Sequence, residues 1–333
     1  MKSILFKAFF LSFAVALFTG CSDDDDDNNN NPQPTPTLAA LVADDDRFTI
    51  LLDALQRTGL DATLDAEGEY TVFAPTNEAF GDLLGELQLA DLDAVVNAVG
   101  LDGLENILLY HVLGAEVRAA DVSTGYITTL AVNGNGNNLS AYVNTSNNVM
   151  LNNRAMVSET DLVASNGVAH VINKVILPLN VFELVEVNPV YSSLESALLL
   201  ADGDLDVVLS DDDNDYTLFA PGNTAFDTLV ANTPNVNNLG ELVAALGTDV
   251  LSTVLLYHVV PGEVRSGDLQ IGAVTTAASD GAGGNLQFNV NINGSDVRIS
   301  DLSPDTEDAD VTLVDVTGTN GVVHGINAVL LPQ

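Results

Sequence analysis

The sequence is poor in cysteine, lysine and tryptophan. Its 333 residues include one cysteine and no tryptophan, and nine Lys and Arg residues stand against 47 Asp and Glu residues. A single cysteine excludes an internal disulfide framework. The formal net charge of −38 excludes nucleic acid as a partner and disfavours anionic lipid head groups, because a field of that sign repels both.

Three sequence phrases each occur twice, in the same order. The copies lie 146, 147 and 154 residues apart, so the repeating unit has the size of a domain and not of a short solenoid repeat. With 47% apolar residues, the chain can give each unit its own core. The phrases are YTVFAPTNEAF at Tyr70–Phe80 and YTLFAPGNTAF at Tyr216–Phe226, LYHVLGAEVRAADV at Leu109–Val122 and LYHVVPGEVRSGDL at Leu256–Leu269, and NGVAHVINKVILP at Asn166–Pro178 and NGVVHGINAVLLP at Asn320–Pro332.

Hydrophobic spacing predicts helices early in each unit. Phe48, Leu51 and Leu55 lie on one helical face, and Gly59 is the predicted stop. Further helices are predicted to end at the two Tyr-His pairs, over Leu104–Tyr110 and Val250–Tyr257.

Strands are predicted after the first helices, and most of them lie in the last third of each unit. The first strand, Tyr70–Ala74, ends at a proline, and Thr76 or Asn77 is placed to cap the following helix. Helices that come early and strands that come late favour an α+β fold over a doubly wound sheet. The other predicted strands are Leu139–Val143, Val149–Leu151, Ala155–Val157, Val168–Leu177, Leu286–Ile292, Val297–Ile299 and Val311–Val316.

The first 20 residues have the composition of an export signal. Lys2 and Lys7 accompany an apolar run, Ala8–Phe18, that is too short to span a bilayer. The segment FTGC at 18–21 resembles a bacterial lipobox, in which Cys21 is lipidated and becomes the first residue of the mature protein. An ordinary cleaved signal with a chance cysteine is the alternative. We predict a lipoprotein signal peptide at 1–20, whose removal would change the net charge from −38 to −40.

Residues 21–37 combine acidic, asparagine-rich and proline-rich stretches. They cannot bury an apolar face, and we predict a disordered tether. The acidic run Asp23–Asp27 resembles the surface-export signal of Bacteroidetes lipoproteins, with a solvated spacer as the alternative. Several acyl chains on one cysteine would hold the protein firmly. We therefore expect an outer-membrane protein exposed at the cell surface, with the lipid anchor as its only membrane contact.

The three repeated phrases resemble the signatures of the fasciclin (FAS1) domain. The resemblance covers about Leu38–Pro178 and Asn188–Pro332 and places tandem domains at 38–179 and 188–333. It implies that each domain is a wedge-shaped β-sheet sandwich flanked by several helices. It also implies an extracellular adhesion or matrix-binding role.

All four histidines lie at matched positions, His111 with His258 and His170 with His324. They could be acid–base groups or metal ligands. However, the chain has no His-x-x-x-His pair and no Gly-x-Ser-x-Gly turn, and each histidine lies in an apolar stretch. We therefore predict buried imidazoles that hydrogen-bond to the backbone or to Asn, and a protein that is not an enzyme.

The resemblance also implies candidate ligand-contact residues. In animal members of the family, the Tyr-His segment and an Asp-Ile pair near the second histidine are linked to integrin binding. The Asp-Ile pair is replaced here by Asp-Leu and Asp-Val, and core packing is the alternative for the tyrosines. The candidates are Tyr110, His111, Asp161, Leu162, Tyr257, His258, Asp315 and Val316.

Three further segments attract attention. Asp202–Asp215 holds seven aspartates in fourteen residues, but it lacks the glycine and the terminal Glu of an EF-hand. We therefore predict a solvated acidic loop, with weak calcium binding as the alternative and no other cofactor.

The second unit has seven more residues than the first between its Tyr-His and Asn-Gly phrases. Asp280–Asn285 and Ser303–Asp310 are the predicted places, both as exposed loops. The Asn-Gly pairs themselves are predicted tight turns.

These observations favour a lipid-anchored surface protein that binds extracellular matrix, polysaccharide or a neighbouring cell through two modules. Two modules on one chain add avidity when both reach the ligand. An envelope-associated glycan-active enzyme with paired carboxylates and a purely structural envelope protein are the alternatives.

Overall fold

The computed structural model describes residues 35–294, 296–301 and 308–332. The predicted signal peptide, Cys21 and the predicted tether up to residue 34 lie outside the described residues. We refer to the described residues up to Leu179 as domain 1 and to those from Asn180 onward as domain 2.

Domain 1 begins with helices and ends with strands, as predicted. Short 3-10 helices lie at Asp46–Phe48 and Ala119–Asp121. The other elements are α1 Leu38–Ala43, α2 Thr49–Thr58, α3 Leu60–Asp65, β1 Tyr70–Pro75, α4 Asn77–Leu87, α5 Leu92–Leu109, β2 Val112–Leu113, β3 Gly125–Val132, β4 Asn138–Asn144, β5 Met150–Leu151, β6 Ala155–Ala164 and β7 Gly167–Ile172.

Domain 2 repeats this order. A 3-10 helix lies at Pro189–Tyr191. The other elements are α6 Val181–Glu186, α7 Ser192–Leu200, α8 Leu205–Leu209, β8 Tyr216–Pro221, α9 Asn223–Asn232, α10 Leu239–Leu246, α11 Thr248–Tyr257, β9 Val259–Pro261, β10 Gly272–Ser279, β11 Asn285–Asn293, β12 Asp296–Ser300, β13 Ala309–Gly318 and β14 Gly321–Ile326.

Each domain has one seven-stranded sheet. The order is β2-β1-β7-β6-β5-β4-β3 in domain 1 and β9-β8-β14-β13-β12-β11-β10 in domain 2. The β1–β7 and β8–β14 pairs are parallel, and the other pairs are antiparallel. Register shifts in β6 and β13 mark bulges, which bend a strand and increase its twist.

The bent sheet folds over on itself to form the two layers of the predicted sandwich. In domain 1, β2 and β3 lie at opposite ends of the strand order and yet contact each other. A buried cluster between the layers joins Phe73 and Ile172 to Leu139 and Ala141. A second cluster packs the helices against the outer face of β1 and β7. Domain 2 has the same two clusters, and the α+β prediction is confirmed.

Local signals explain several boundaries. The Thr76 hydroxyl accepts the Ala79 N–H and caps α4, as predicted. The α2 helix ends at Gly59, which has a left-handed φ of 77°. The helix predicted from Leu104 in fact begins at Leu92 and is broken at Gly100, whose φ of 77° and ψ of 172° are not helical.

Some predicted boundaries are wrong. The strand predicted over Val168–Leu177 ends at Ile172, because the Ile176 N–H bonds to a histidine ring and not to a neighbouring strand. Strands β3 and β10 were not predicted, since their apolar residues do not alternate clearly.

The two domain starts also differ from expectation. The predicted tether ends at 37, but Pro36 accepts the Ser165 N–H and Thr37 caps α1, so both residues belong to the fold. Helix α6 packs into the core of domain 2, ahead of the predicted start at residue 188.

Within the described ranges, no single helix has the length and composition to cross a membrane. One bent pair, Leu239–Leu246 with Thr248–Tyr257, meets these two criteria when its helices are taken together.

Candidate functional site

The first histidine of each domain connects, through hydrogen bonds, the end of a helix to the chain segment that follows the last strand. His111 Nδ1 lies 2.7 Å from the Ile107 carbonyl, and its Nε2 accepts the Ile176 N–H at 3.1 Å. His258 repeats both bonds, with the Val254 carbonyl at 2.7 Å and the N–H of Leu330 at 2.9 Å. These partners require the neutral tautomer with its proton on Nδ1.

The second histidine of each domain has the opposite tautomer. His170 Nδ1 accepts the Asp161 N–H at 3.2 Å, and its Nε2 donates to the Val117 carbonyl at 2.9 Å. His324 makes the same pair of bonds to the Asp315 N–H and to the carbonyl of Val264.

Burial favours the uncharged form of His111, His258 and His324. Desolvation lowers the pKa of His111 and of His258 to about 4, and it also lowers the pKa of His324. All four rings are at most 2% exposed, and both ring nitrogens of each are hydrogen-bonded to the backbone. As placed, the histidines hold backbone segments together and present no nitrogen to a metal or a substrate.

The tyrosines of the Tyr-His pairs are also buried. Tyr110 is 0% exposed and donates to the Ser140 carbonyl at 2.7 Å, while Tyr257 is 1% exposed and donates to the carbonyl of Gln287. As placed, Tyr110, Tyr257 and the histidines that follow them offer no surface to a ligand, which argues against the predicted contact role.

The Asp pairs occupy the bulges of β6 and β13. Asp161 and Asp315 have left-handed φ values of 58° and 59°, which non-glycine residues rarely adopt. Asp161 Oδ1 accepts the N–H of Ala119 at 3.0 Å, and Asp315 Oδ1 accepts the Ser266 N–H at 2.8 Å. Burial opposes ionisation of Asp315, but the hydrogen bonds from Ser266 together with the nearby Arg265 charge lower its pKa.

The residues that follow these aspartates face the core. Leu162 is half-buried against the helical cluster of domain 1, and Val316 is buried in the corresponding cluster of domain 2. Of the eight predicted contact residues, only the two aspartates and Leu162 are partly accessible.

The asparagine of each Asn-Gly pair has a role that the sequence did not predict. Asn166 Oδ1 accepts the Leu38 N–H at 2.9 Å, and its Nδ2 donates to the carbonyls of Leu64 and Ala66. One buried side chain therefore joins the start of α1 to the end of α3 beside the turn into β7.

Asn320 forms the same junction in domain 2. It accepts the Val181 N–H at 2.8 Å and donates to the carbonyls of Leu209 and Asp211. The recurrence of Asn at both positions was visible in the sequence, but its partners lie 100 or more residues away.

The glycine of each pair meets a close backbone approach. Gly167 and Gly321 have φ values of 148° and 140°. A Cβ added there would lie 2.1 Å from the Tyr70 carbonyl oxygen and 1.9 Å from that of Tyr216. The predicted tight turn therefore requires glycine for space as well as for φ.

The acidic segment Asp202–Asp215 is partly helical, since α8 lies inside it. Several of its carboxylates accept local hydrogen bonds, as Asp202 does from Thr248 and Asp211 from Asn214. Among the described residues, no group of three His, Cys, Asp or Glu side chains is arranged to hold a metal ion. Weak calcium binding stays an untested alternative.

Strand register locates most of the extra residues of domain 2. Leu151 and Ala155 pair with each other and are four positions apart, whereas their counterparts Ile299 and Ala309 pair in the same way and are ten apart. Six of the seven extra residues therefore lie in this connection. It includes the predicted Ser303–Asp310 loop. Residues 302–307 of the connection lie outside the described residues.

The other predicted place, Asp280–Asn285, holds no insertion. This turn has the same length and internal hydrogen bonds as residues 133–138: Asp280 N–H donates to the Gly284 carbonyl, as Asn133 N–H does to Asn137.

The two domains meet where the β3–β4 turn of domain 1 reaches a carboxylate of domain 2. The side-chain amides of Asn133, Asn135 and Asn137 lie 2.7, 2.9 and 2.8 Å from the Glu263 carboxylate oxygens. Arg265 Nη1 lies 3.3 Å from the same carboxylate, whose side chain is 4% exposed. We call residues 133–137 the plug, and the Glu263 region that receives it the socket.

Two further contacts extend this interface along the strands. The Thr317 N–H of β13 donates to Ser140 Oγ of β4 at 3.0 Å, and both residues are buried. Tyr126 of β3 packs against the core of domain 2 and donates to the Leu184 carbonyl of α6 at 2.5 Å. The plug, β3 and β4 thus form one continuous face against domain 2.

A cleft of about 330 Å³ lies beside α6 at the domain junction. Glu183 and Glu186 line it together with Arg154. Burial raises the pKa of Glu183, whose carboxylate also accepts the Asn180 N–H and completes the capping box of α6. Capping accounts for the position of this carboxylate, and domain 1 has Ala40 at the equivalent place.

The seven basic residues of the described ranges all pair with carboxylates. The surface therefore combines a large negative charge with cations that are already neutralised, which suits neither nucleic acid nor anionic lipid.

The sequence model of the Fasciclin domain matches residues 46–178 and again residues 191–332. The chain belongs to the fasciclin domain family. The two matches cover both structural repeats, including the buried histidines and the Asn-Gly junctions of both fasciclin domains.

Named relatives occur in animals and in bacteria. The chain is 29% identical over 273 residues to the pig transforming growth factor-beta-induced protein ig-h3, a match that covers 81% of this chain and 36% of that protein. It is 37% identical over 142 residues to protein sll1483 of Synechocystis, covering 43% of this chain and 73% of that one. The chain thus spans about a third of the length of the pig protein.

One solved structure matches most of the length of the chain. It is described as a FAS1 domain pair from the insect cell adhesion molecule fasciclin I, with 19% identity and a TM-score of 0.48, covering 85% of this chain and 95% of that one.

Proposed function

We propose that this chain is a lipid-anchored adhesion protein of a bacterial cell surface, with two fasciclin domains that present their outer faces to matrix, polysaccharide or another cell. The observation that carries the proposal is the double match to the fasciclin domain, a module found in cell-adhesion and extracellular-matrix proteins.

The chemistry of the buried groups supports binding over catalysis. The four histidines and the two Tyr-His tyrosines, the side chains with the most obvious catalytic potential, use their polar atoms on internal hydrogen bonds. In the cleft that Glu183 and Glu186 line, one of the two carboxylates already caps a helix.

The anchor is tested by cell fractionation of the full-length protein. We expect the parent protein in the outer-membrane fraction and accessible to protease on intact cells, and Cys21→Ala in the soluble fraction. Ser22→Ala, next to the anchor, is the matched control and is expected to stay in the membrane. Equal membrane retention of Cys21→Ala would contradict lipid anchoring, and retention in the cytosol would contradict export.

Adhesion is tested with cells that display the full-length chain. Attachment is measured on a collagen film, a polysaccharide film and a layer of the same cells, against cells that lack the protein. Attachment above that background on at least one surface, reduced by soluble protein, is expected. Background attachment on all three would contradict the adhesion role, while glycan hydrolysis that Glu186→Gln abolishes would favour the enzyme.

A further inference from the structure

Domain 1 carries an exposed counterpart of the socket that domain 2 uses. The segment with Glu116 and Arg118 matches that with Glu263 and Arg265, and its backbone is held in the same way. Thr71 bonds to the Ala115 carbonyl and the Val117 N–H, as Thr217 does to Gly262 and Val264.

The two sockets differ in what covers them. Glu263 is enclosed by three asparagine amides, whereas Glu116 is exposed, with a side chain 32% accessible and paired to Arg118. Thr317, which meets β4, is 1% exposed, and its counterpart in domain 1 is Val163, a large apolar side chain that is 46% exposed. Val163 therefore leaves open in domain 1 the position that β4 covers in domain 2.

The turn of domain 2 that corresponds to the plug lacks the asparagines of the plug. The turn at 280–284 reproduces the backbone bonds of 133–137, and Asp280 Oδ1 accepts the N–H groups of Ala282 and Gly284 as Asn133 Oδ1 accepts those of Asn135 and Asn137. The residues aligned with the three asparagines are Asp280, Ala282 and Gly284. This turn therefore offers no side-chain amide and presents a carboxylate instead.

The strands beside this turn, β10 and β11, also lack the side chains by which β3 and β4 contact domain 2. Strand register aligns Tyr126, Ser140 and Tyr142 of domain 1 with Ala273, Gln287 and Asn289 of domain 2. The groups that reach across the domain junction in domain 1 are missing from this face of domain 2.

We propose that the face of domain 1 formed by Glu69, Glu116 and Val163 is a docking surface for the β-hairpin of another fasciclin-type polypeptide, whose turn carries side-chain amides as residues 133–137 do. The interface between domains 1 and 2 indicates the occupant, since Glu116 and Glu69 stand where Glu263 and Asp215 accept amide hydrogens.

A second copy of this chain does not meet that requirement. The amides of its own plug are already bonded to Glu263 of its own domain 2, and its exposed turn would bring Asp280 toward Glu116. Because the plug–socket contact is head-to-tail, a copy that matched would build open-ended chains. The charge at Asp280 opposes such self-assembly.

The test gives the full-length chain a matching second plug. Asp280→Asn, Ala282→Asn and Gly284→Asn reproduce the turn, and Ala273→Tyr, Gln287→Ser and Asn289→Tyr reproduce the face. Sedimentation velocity over a range of concentrations compares this graft with the parent protein, and thermal melting confirms that both are folded. We expect the graft to form concentration-dependent oligomers and the parent to keep its mass.

Two further variants locate the contact. Glu116→Ala in the graft is expected to weaken association at least about thirtyfold, because it removes the acceptor of the three amides. A graft with the two tyrosines and the serine but without the asparagines is expected to stay unassociated. A folded graft that keeps the parent mass, or one that associates equally well with Glu116→Ala, would overturn the proposal. No cell or membrane enters this assay, so its outcome is independent of the proposed adhesion function.

Discussion

The two domains share their interior and differ at their surfaces. Each histidine of domain 1 makes the same hydrogen bonds, with the same tautomer, as its counterpart in domain 2. Asn166 and Asn320 likewise join equivalent segments. In contrast, the plug of domain 1 is rich in amides while that of domain 2 is not, and one socket is covered while the other is exposed. The comparison teaches that the family phrases specify the scaffold, and that the residues between them decide what each domain contacts.

The strongest test of the shared interior changes the buried asparagines. In Asn166→Asp the new carboxylate oxygen would face the carbonyls of Leu64 and Ala66 in place of a donor. We expect a loss of more than about 3 kcal/mol in the free energy of unfolding, since two buried carbonyls lose their donor and a charge is buried.

Chemical denaturation measures this loss, and Asn320→Asp should cost a similar amount in domain 2. The exposed Asn97 on α5 provides the control, and Asn97→Asp should change little. A small effect in one domain only would show that the junctions are not equivalent.

Acid should destabilise both domains through His111 and His258. Each has a pKa of about 4 in the folded protein and about 6.5 when unfolded, so the unfolded chain binds the extra proton between these values. Stability from each ring is fully present above pH 6.5 and is lost as the pH falls toward 4, by about 3 kcal/mol per ring.

Denaturation at a series of pH values checks this expectation. His111→Gln should reduce the change in the free energy of unfolding between pH 6.5 and pH 4 by about 3 kcal/mol relative to the parent protein. A variant that keeps the parent pH dependence would show that His111 does not titrate in this window.

The surface difference is tested by truncating the two socket glutamates. Glu263→Ala removes the acceptor of the part-buried amides of Asn133 and Asn137 and one of the two acceptors of the exposed Asn135 amide, and should cost about 1–3 kcal/mol. Glu116→Ala removes an exposed ion pair and should leave the free energy of unfolding unchanged within error. Equal effects of the two substitutions would remove the distinction between the sockets.

The smallest expected effect concerns helix caps. Thr76 caps α4, whereas Gly222 begins α9 without a side-chain bond. A Cβ at Gly222 would meet Val190 at 3.4 Å, an ordinary contact, and its φ of −71° suits any residue. Gly222→Thr should therefore stabilise domain 2 by about 0.5 kcal/mol in a thermal melt, and Thr76→Gly should cost domain 1 a few tenths. A destabilised Gly222→Thr would contradict this account.

Repetition made much of the scaffold predictable from the sequence. Matched phrases fixed the two-domain organisation, the α+β order and the burial of His111 and His258, because apolar neighbours surround both rings. The partners of Asn166 were not predictable, since they depend on which distant helix ends pack beside the turn.

The residues of the plug were visible in the sequence, but no role was predicted for them. The plug's alternating asparagines contrast with Asp280, Ala282 and Gly284 at the same spacing, and that contrast was the available signal. Its meaning depends on Glu263, more than 120 residues away, and on the packing of the two domains.

The central claim, that the pair is held by the plug in the socket, is tested most directly by a double-mutant cycle between Asn137 and Glu263. The free energy of unfolding is measured for Asn137→Ala, Glu263→Ala and the double variant. We predict a coupling energy of at least about 1 kcal/mol, as for groups in direct hydrogen-bond contact. Additive effects, with no coupling beyond error, would contradict the account.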